Sequence, residues 1–329
     1  MTNVDVMVVG QIARDLVLQV DEVPDAGGTA PVRRRRELLG GKGANQAVGL
    51  AQLGVRVGLL GVVGDDEVGR GLLAQAHADG IDVASVVRRV GTSTGLIVDV
   101  VDAGAHWRYL EDLPEPVLLT EADVTAAADA LTGARAVVVQ LQQPPAAALA
   151  ATRLAHGAGR LVVLDGAPAP EAADDLLATA TVLRADSQET TLLTGREPTD
   201  AAGGLRAARD LLARGPSLVA VEVDGVGNAF VWPDDEVFVP LSATTTVDTT
   251  GAGDAFVAAL TAGLLRDEPR SRLARLAVAA AGATVGTPGG RPALTDAAIA
   301  AQLARIPAGT PTQDRSARRP ERRNSSWSG

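Results

Sequence analysis

Short apolar runs at residues 4–10, 57–63, 136–139, 161–165 and 218–223 are nearly unbroken rather than alternating. A strand with one wet face alternates apolar with polar residues, whereas a strand buried on both faces does not. Each run is therefore predicted as an interior strand. Helical stretches follow: residues 67–79 come after the second run, with Gly80 as the stop, and another helix follows the third. Strand, turn and helix repeated in this way predict an α/β fold with a doubly wound, mostly parallel sheet flanked by helices. Ligands of such sheets bind beyond the carboxyl ends of the strands, on strand-to-helix loops.

The core must be aliphatic, because 46% of the 329 residues are hydrophobic and only 2% are aromatic. That length suits one large domain. The absence of cysteine removes disulfides, thiolate metal sites and cysteine nucleophiles. His77, His106 and His156 sit in no HExxH or GxSxG setting, so each is read as a surface or hinge residue. A net charge of -10 argues against nucleic-acid and acidic-membrane partners, since phosphate backbones need a basic face. No apolar run reaches transmembrane length, and a cytoplasmic location is expected. Lys42 is the only lysine in the chain. An ammonium kept inside a glycine-rich segment reads as one that is wanted there, with chance as the alternative.

Residues 16–39 and 95–110 break the rhythm. They alternate apolar with polar and carry turn signals at Pro24, Gly27 and Gly28, and at Asp102-Ala103-Gly104. Both are predicted as half-exposed strands that pair into a small projecting sheet. Such a sheet is too thin to stand alone, so it should act as a lid over a site or meet a second subunit. The apolar edge Leu96-Ile97-Val98 makes a homodimer through this lid the expectation. Arg33 to Arg36 read as a solvated edge that discourages sheet pairing. Beyond Gly251 the pattern is helical, through 264, through about 285 and again near 297–304. Residues 1–306 are read as one domain with lid strands within 12–39 and 95–111. Residues 307–329, rich in Arg, Ser and Pro, are read as a disordered tail.

Two segments carry chemistry. Asp248-Thr249-Thr250-Gly251-Ala252-Gly253-Asp254 follows a threonine-rich stretch and opens an apolar helix. Free N–H groups at a helix start, with glycines that allow close approach, form a hole for the anion that develops in phosphoryl transfer. A carboxylate inside such a hole repels a merely bound anion but is useful as a base. In a loose phosphoryl-transfer transition state a carboxylate of ordinary pKa near 4 suffices. On this segment alone a helix-capping role for Asp254 is the alternative. The other segment is Gly40-Gly41-Lys42-Gly43-Ala44-Asn45-Gln46, which opens a helix stopped by Gly54. It is not a P-loop, because Arg36 stands where the first glycine belongs and Gly43 follows the lysine. No GxGxxG follows a strand either.

Together the two segments resemble the signatures of the ribokinase family, the PfkB carbohydrate kinases, and the resemblance runs from about Val4 to Leu303. It implies a ribokinase-like fold and ATP-dependent phosphorylation of a sugar hydroxyl. In that family's pattern Asp254 is the base and Gly251, Ala252 and Gly253 form the anion hole. Asp15, Gly41, Lys42, Asn45 and Gln142 line the sugar side. Asp186, Glu222, Gly227 and Gly253 lie on the nucleotide side. Glu189 helps to hold Mg2+, and Asp248, Thr250 and Gly289 a monovalent cation such as K+. The implied partners are ATP and a small sugar or nucleoside.

The chain also departs from that pattern. Ala13 stands for an asparagine and Gln142 for a glutamate that bind sugar, which widens the acceptor to another furanose, a nucleoside or a sugar phosphate. Glu222 and Asp224 place carboxylates where a triphosphate is expected. Each costs roughly 1 to 4 kcal/mol at 4 Å unless magnesium or arginine compensates. A nucleoside kinase, or a sugar-binding regulatory protein with weakened catalysis, are the alternatives this leaves.

Overall fold

The computed structural model describes residues 4–104, 106–242, 249–286 and 290–307. Within them the strands are β1 (Val6–Val9), β2 (Ala13–Val20), β3 (Val32–Gly40), β4 (Val57–Leu60), β5 (Val62–Gly64), β6 (Val87–Arg89) and β7 (Leu96–Val101). They continue with β8 (Trp107–Asp112), β9 (Ala136–Gln140), β10 (Leu161–Asp165), β11 (Val182–Ala185), β12 (Leu218–Val223), β13 (Gly227–Val231) and β14 (Glu236–Pro240). Of the tail read at residues 307–329 all but Pro307 lies outside the described residues, as do Asp248 and Gly289.

The main sheet has eight strands in the order β14-β13-β12-β11-β10-β9-β1-β4. From β12 to β4 neighbours run parallel, and β13 and β14 add an antiparallel edge. The interior strands are buried on both faces, which is why their sequences do not alternate. Val6 and Val8 enter one core layer, while Met7 and Val9 enter the other. The first layer is closed by helices Lys42–Gln52, Ala252–Leu265 and Arg270–Thr284, the second by Pro145–Gly157, Ala173–Thr179 and Ala201–Leu212. β1 lies between β4 and β9, so the chain leaves it in one direction and later returns on the other side. A switch of this kind opens a crevice at the carboxyl ends of the strands.

One predicted strand is divided. Residues 57–63 form β4 in the main sheet and β5 in a separate parallel pair with β6. The break falls at Gly61, where a side chain would stand 2.6 Å from the Gly10 carbonyl and 2.8 Å from Ile12. The chain turns there because only a glycine fits against the end of β1.

The lid is a four-stranded sheet ordered β3-β2-β7-β8. Ala13, Asp15 and Val17 on β2 and Asp99 and Val101 on β7 form its buried face. Leu16 pairs with Val98, which in turn pairs with Leu110, and this row lies on the outer face. Arg33 to Arg36 fall on β3, an edge strand, where Arg33, Arg34 and Arg35 are exposed and Arg36 is half-buried, in keeping with a largely solvated edge. His77, His106 and His156 are all exposed.

Candidate active site

The helix Ala252–Leu265 starts at Gly251, whose φ of 73° lies in the left-handed region. A side chain at Gly251 would stand 1.8 Å from the Gly290 carbonyl oxygen, so two turns meet there through backbone alone. The first turn of any helix leaves its N–H groups without intrahelical acceptors. Here that turn holds Ala252, Gly253 and Asp254, with the positive end of the helix dipole directed at the crevice.

Asp254 is 5% exposed. Gln46 donates to its Oδ1 at 3.1 Å and Asn45 to its Oδ2 at 3.4 Å. Gln46 also donates to Asp165 at 2.7 Å, which ties the end of β10 to the same carboxylate. Burial above all, and then Asp165, push the Asp254 pKa up to about 7, against the pull of Lys42, Gln46 and Asn45. This corrects the expectation of an ordinary value near 4: the sequence shows the carboxylate but not how completely it is enclosed. A carboxylate of that pKa is a stronger base and is half ionised near neutrality.

The Gly40-Gly41-Lys42 segment is explained by close approach. A side chain on Gly43 would lie 2.6 Å from the Gly10 carbonyl carbon, so the helix Lys42–Gln52 begins against the end of β1. Gly41 has a φ of 86°. Gly40 makes room for Asp15, whose Cγ would be 1.9 Å from any side chain there. Lys42 stands in the first turn of its helix. Burial lowers its pKa, but Asp165, Glu189 and Asp254 outweigh burial and raise it, so the ammonium is held charged.

Asp15 reaches the same region from the lid. Its pKa is pushed up to about 7 by burial, then by Asp254 and Asp99, against a hydrogen bond from the Gly41 N–H. Asp15 Oδ1 and Asn45 Oδ1 are buried without hydrogen-bond partners. Buried acceptors left unpaired are uncommon, and two at one place fit a ligand rich in hydroxyl donors. The lid closes over the loop before the Ala252 helix, because the Tyr109 hydroxyl of β8 hydrogen-bonds the Thr250 hydroxyl. Tyr109 went unnoticed in the sequence, although it is the only tyrosine. Gln142 is exposed, and its carbonyl accepts from Gln11 Nε2 at 3.1 Å.

The other half of the crevice is strongly charged. Asp186 and Glu189 form a reciprocal capping box at the start of helix Ser187–Thr194: Glu189 N–H donates to Asp186 at 2.7 Å and Asp186 N–H to Glu189 at 2.8 Å. Burial and Asp165 raise the Glu189 pKa despite Arg184. Glu222 is not left uncompensated, since Arg184 Nη2 donates to it at 2.9 Å. Asp224 is exposed. Gly227 has a structural cause, because a side chain there would sit 2.4 Å from the Val239 carbonyl within the hairpin ladder. Asp165 and Arg184 were missed by sequence reasoning. Their signal was available: each is a charged residue at the carboxyl end of an apolar run, where such sheets bind ligands.

Comparison with known proteins gives the family and the fold. Residues 3–297 match the profile described as pfkB family carbohydrate kinase. The chain is 31% identical over 272 residues to the bifunctional ribokinase/ribose-5-phosphate isomerase A of Fructilactobacillus sanfranciscensis, covering 82% of this chain but only 50% of that longer protein. It is 30% identical over 258 residues to the ribokinase of Mus musculus, covering 78% of this chain and 80% of that one. The structure of Arabidopsis thaliana ribokinase complexed with ribose and ATP superposes with a TM-score of 0.77 at 25% identity, covering 91% of this chain and 98% of the other. This chain therefore belongs to the pfkB family of carbohydrate kinases, as a ribokinase-like phosphotransferase with an alcohol group as acceptor.

Proposed function

We propose that the enzyme transfers the γ-phosphoryl group of ATP to a hydroxyl of a small furanose sugar, ribose or a close relative, with Asp254 as the base. The observation that carries this reading is the buried Asp254 carboxylate inside the first turn of the Ala252 helix, beside Lys42 and Asn45. The acceptor hydroxyl gives its proton to Asp254 as its oxygen bonds to phosphorus. The bond from phosphorus to the ADP oxygen breaks, and ADP leaves. N–H groups of Gly251 and Gly253 face the charge that builds on the phosphoryl oxygens, while that of Ala252 donates to the Thr249 carbonyl at 3.3 Å and must leave it to join them. Asp15 and Asn45 accept hydrogen bonds from the sugar and fix which hydroxyl faces Asp254. Relatives named as ribokinases, one of them solved with ribose and ATP, support the choice of acceptor and donor.

Among the described residues no three His, Cys, Asp or Glu side chains converge to hold a metal. That fits a Mg2+ ion carried mainly by the nucleotide phosphates, with Glu189 adding a carboxylate oxygen, and the ion would neutralise triphosphate charge. A monovalent cation near the Thr250 carbonyl is part of the same reading. The Arg184–Glu222 pair offsets one of the two carboxylates that favour a regulatory protein without turnover, Asp224 being the other.

The test is ADP release with magnesium, with and without potassium, over ribose, deoxyribose, hexoses, ribose 1-phosphate and nucleosides. Turnover with a free pentose well above the rest is expected. Preference for a nucleoside or a sugar phosphate would move the acceptor assignment, and no turnover with any of them would remove the reading. We also place a homodimer on the outer face of the lid, where Leu110 is 65% exposed beside Val98 and Leu16. Light scattering should then give twice the chain mass, and a single chain mass at micromolar concentration would count against it.

A further inference from the structure

Arg184 has no part in the acceptor and base chemistry, yet it is the most enclosed cation of the crevice. Its side chain is 9% exposed, and Nη1 lies 3.3 Å from Asp165 Oδ1 and 3.9 Å from Glu189 Oε2. On its other side it touches the anion hole. A side chain on Gly253 would stand 2.9 Å from Nη1 and 3.0 Å from Nη2, so the guanidinium is seated against the first turn of the Ala252 helix. It also lies over the Phe256 ring, 5.8 Å from the centroid.

Its three carboxylate neighbours are not equivalent. Asp165 is 3% exposed and also accepts from Gln46, and Glu189 is 15% exposed and also accepts from the Asp186 N–H. Glu222 is 35% exposed and reaches Arg184 from the open side. Asp165 therefore anchors the guanidinium, while Glu222 can turn into water at little cost. A guanidinium fork binds carboxylate and phosphate oxygens with the same geometry, and a phosphate brings more charge.

We infer that Arg184 is a phosphate-binding residue for the phosphoryl donor, and that Glu222 occupies its outer face as an internal stand-in that the donor phosphate displaces. This deepens the phosphoryl-transfer reading and rests on it. The exchange accounts for a carboxylate placed where a triphosphate must pass: it keeps a buried guanidinium paired until the nucleotide arrives. It predicts opposite effects from the two partners. Removing Arg184 weakens nucleotide binding, and removing the charge of Glu222 strengthens it.

The test is calorimetric titration of ATP with magnesium, in the absence of acceptor, into wild type, Glu222→Gln and Arg184→Met, with ribose titrated in parallel. Glu222→Gln should bind ATP about tenfold more tightly, the scale of one unit charge removed at about 4 Å in a partly screened site. Arg184→Met should bind it at least about thirtyfold more weakly, the loss of a charge-assisted fork. Ribose affinity should hold within about twofold in both, because its contacts come from other elements. Arg184→Met removes the guanidinium that Asp165 and Glu222 share and can fail to fold, in which case Glu222→Gln decides alone. Unchanged or weaker ATP binding by Glu222→Gln, with wild type binding ATP and turning over, overturns the exchange and leaves the kinase reading intact. Wild type and Glu222→Gln both binding ribose but not ATP would overturn both.

Discussion

Replacing Asp254 by Asn is expected to lower kcat/KM by about a thousandfold while making the protein more stable at pH 8. The first effect follows from loss of the base, since positioned general bases contribute roughly 10² to 10⁴ in rate. The second follows from linkage. Asp254 has a folded-state pKa of about 7 against 3.8 for the ordinary group, so the folded protein binds this proton more tightly. Below about pH 4 the group is protonated in both states and costs nothing. As pH rises through about 7 the folded state must carry the buried charge, and the full cost is present above that. Three pKa units correspond to roughly 4 kcal/mol, an upper bound because Lys42 loses a partner in the variant. Denaturant unfolding should show a gain of roughly 2 kcal/mol at pH 8 that shrinks toward pH 4. A variant that is less stable than wild type at pH 8 would show that the carboxylate is structural.

Gly251→Ala is expected to cut kcat by about 10² to 10³, the range seen when one anion-hole donor is displaced. Alanine at a φ of 73° costs about 1 to 2 kcal/mol by itself. In addition its Cβ would fall 1.8 Å from the Gly290 carbonyl, so the start of the Ala252 helix must shift. Ribose affinity should change by less than about threefold, because Asp15 and Lys42 lie on other elements. Gly54→Ala is the control: its φ is 74° but nothing lies within 4 Å of the new Cβ. It carries the same backbone strain without the collision, and should lose stability while keeping kcat. Equal kcat in the two variants would mean that the turn at Gly251 does not shape the anion hole.

The fold was legible because unbroken apolar runs have one physical reading, a strand covered on both faces. The division at Gly61 was not, because it depends on the carbonyl of Gly10, far away in sequence. Within the site, the Gly251 to Asp254 turn and the Gly40 to Asn45 segment could be read because their chemistry is local. Arg184 escaped notice because its meaning lies in its partners, Asp165 and Glu222, which come from neighbouring strands and meet only when the sheet forms. The pKa of Asp254 was misjudged for the same reason: the pattern GAGD specifies a carboxylate at a helix start, and burial is set by what closes over it.

The most direct test of a buried carboxylate base at this helix start is the dependence of kcat/KM on pH, measured with the preferred acceptor under saturating magnesium and ATP. Asp254 and Asp15 both stand near 7 and the Asp254 charge raises Asp15, so the apparent values belong to the site rather than to one residue. The account predicts a rising limb with its midpoint near 7, because Asp254 must be ionised to take the proton, and a plateau above about 8. A profile that stays flat from pH 5.5 to 8.5 would contradict it, placing the base at an ordinary exposed carboxylate rather than at Asp254.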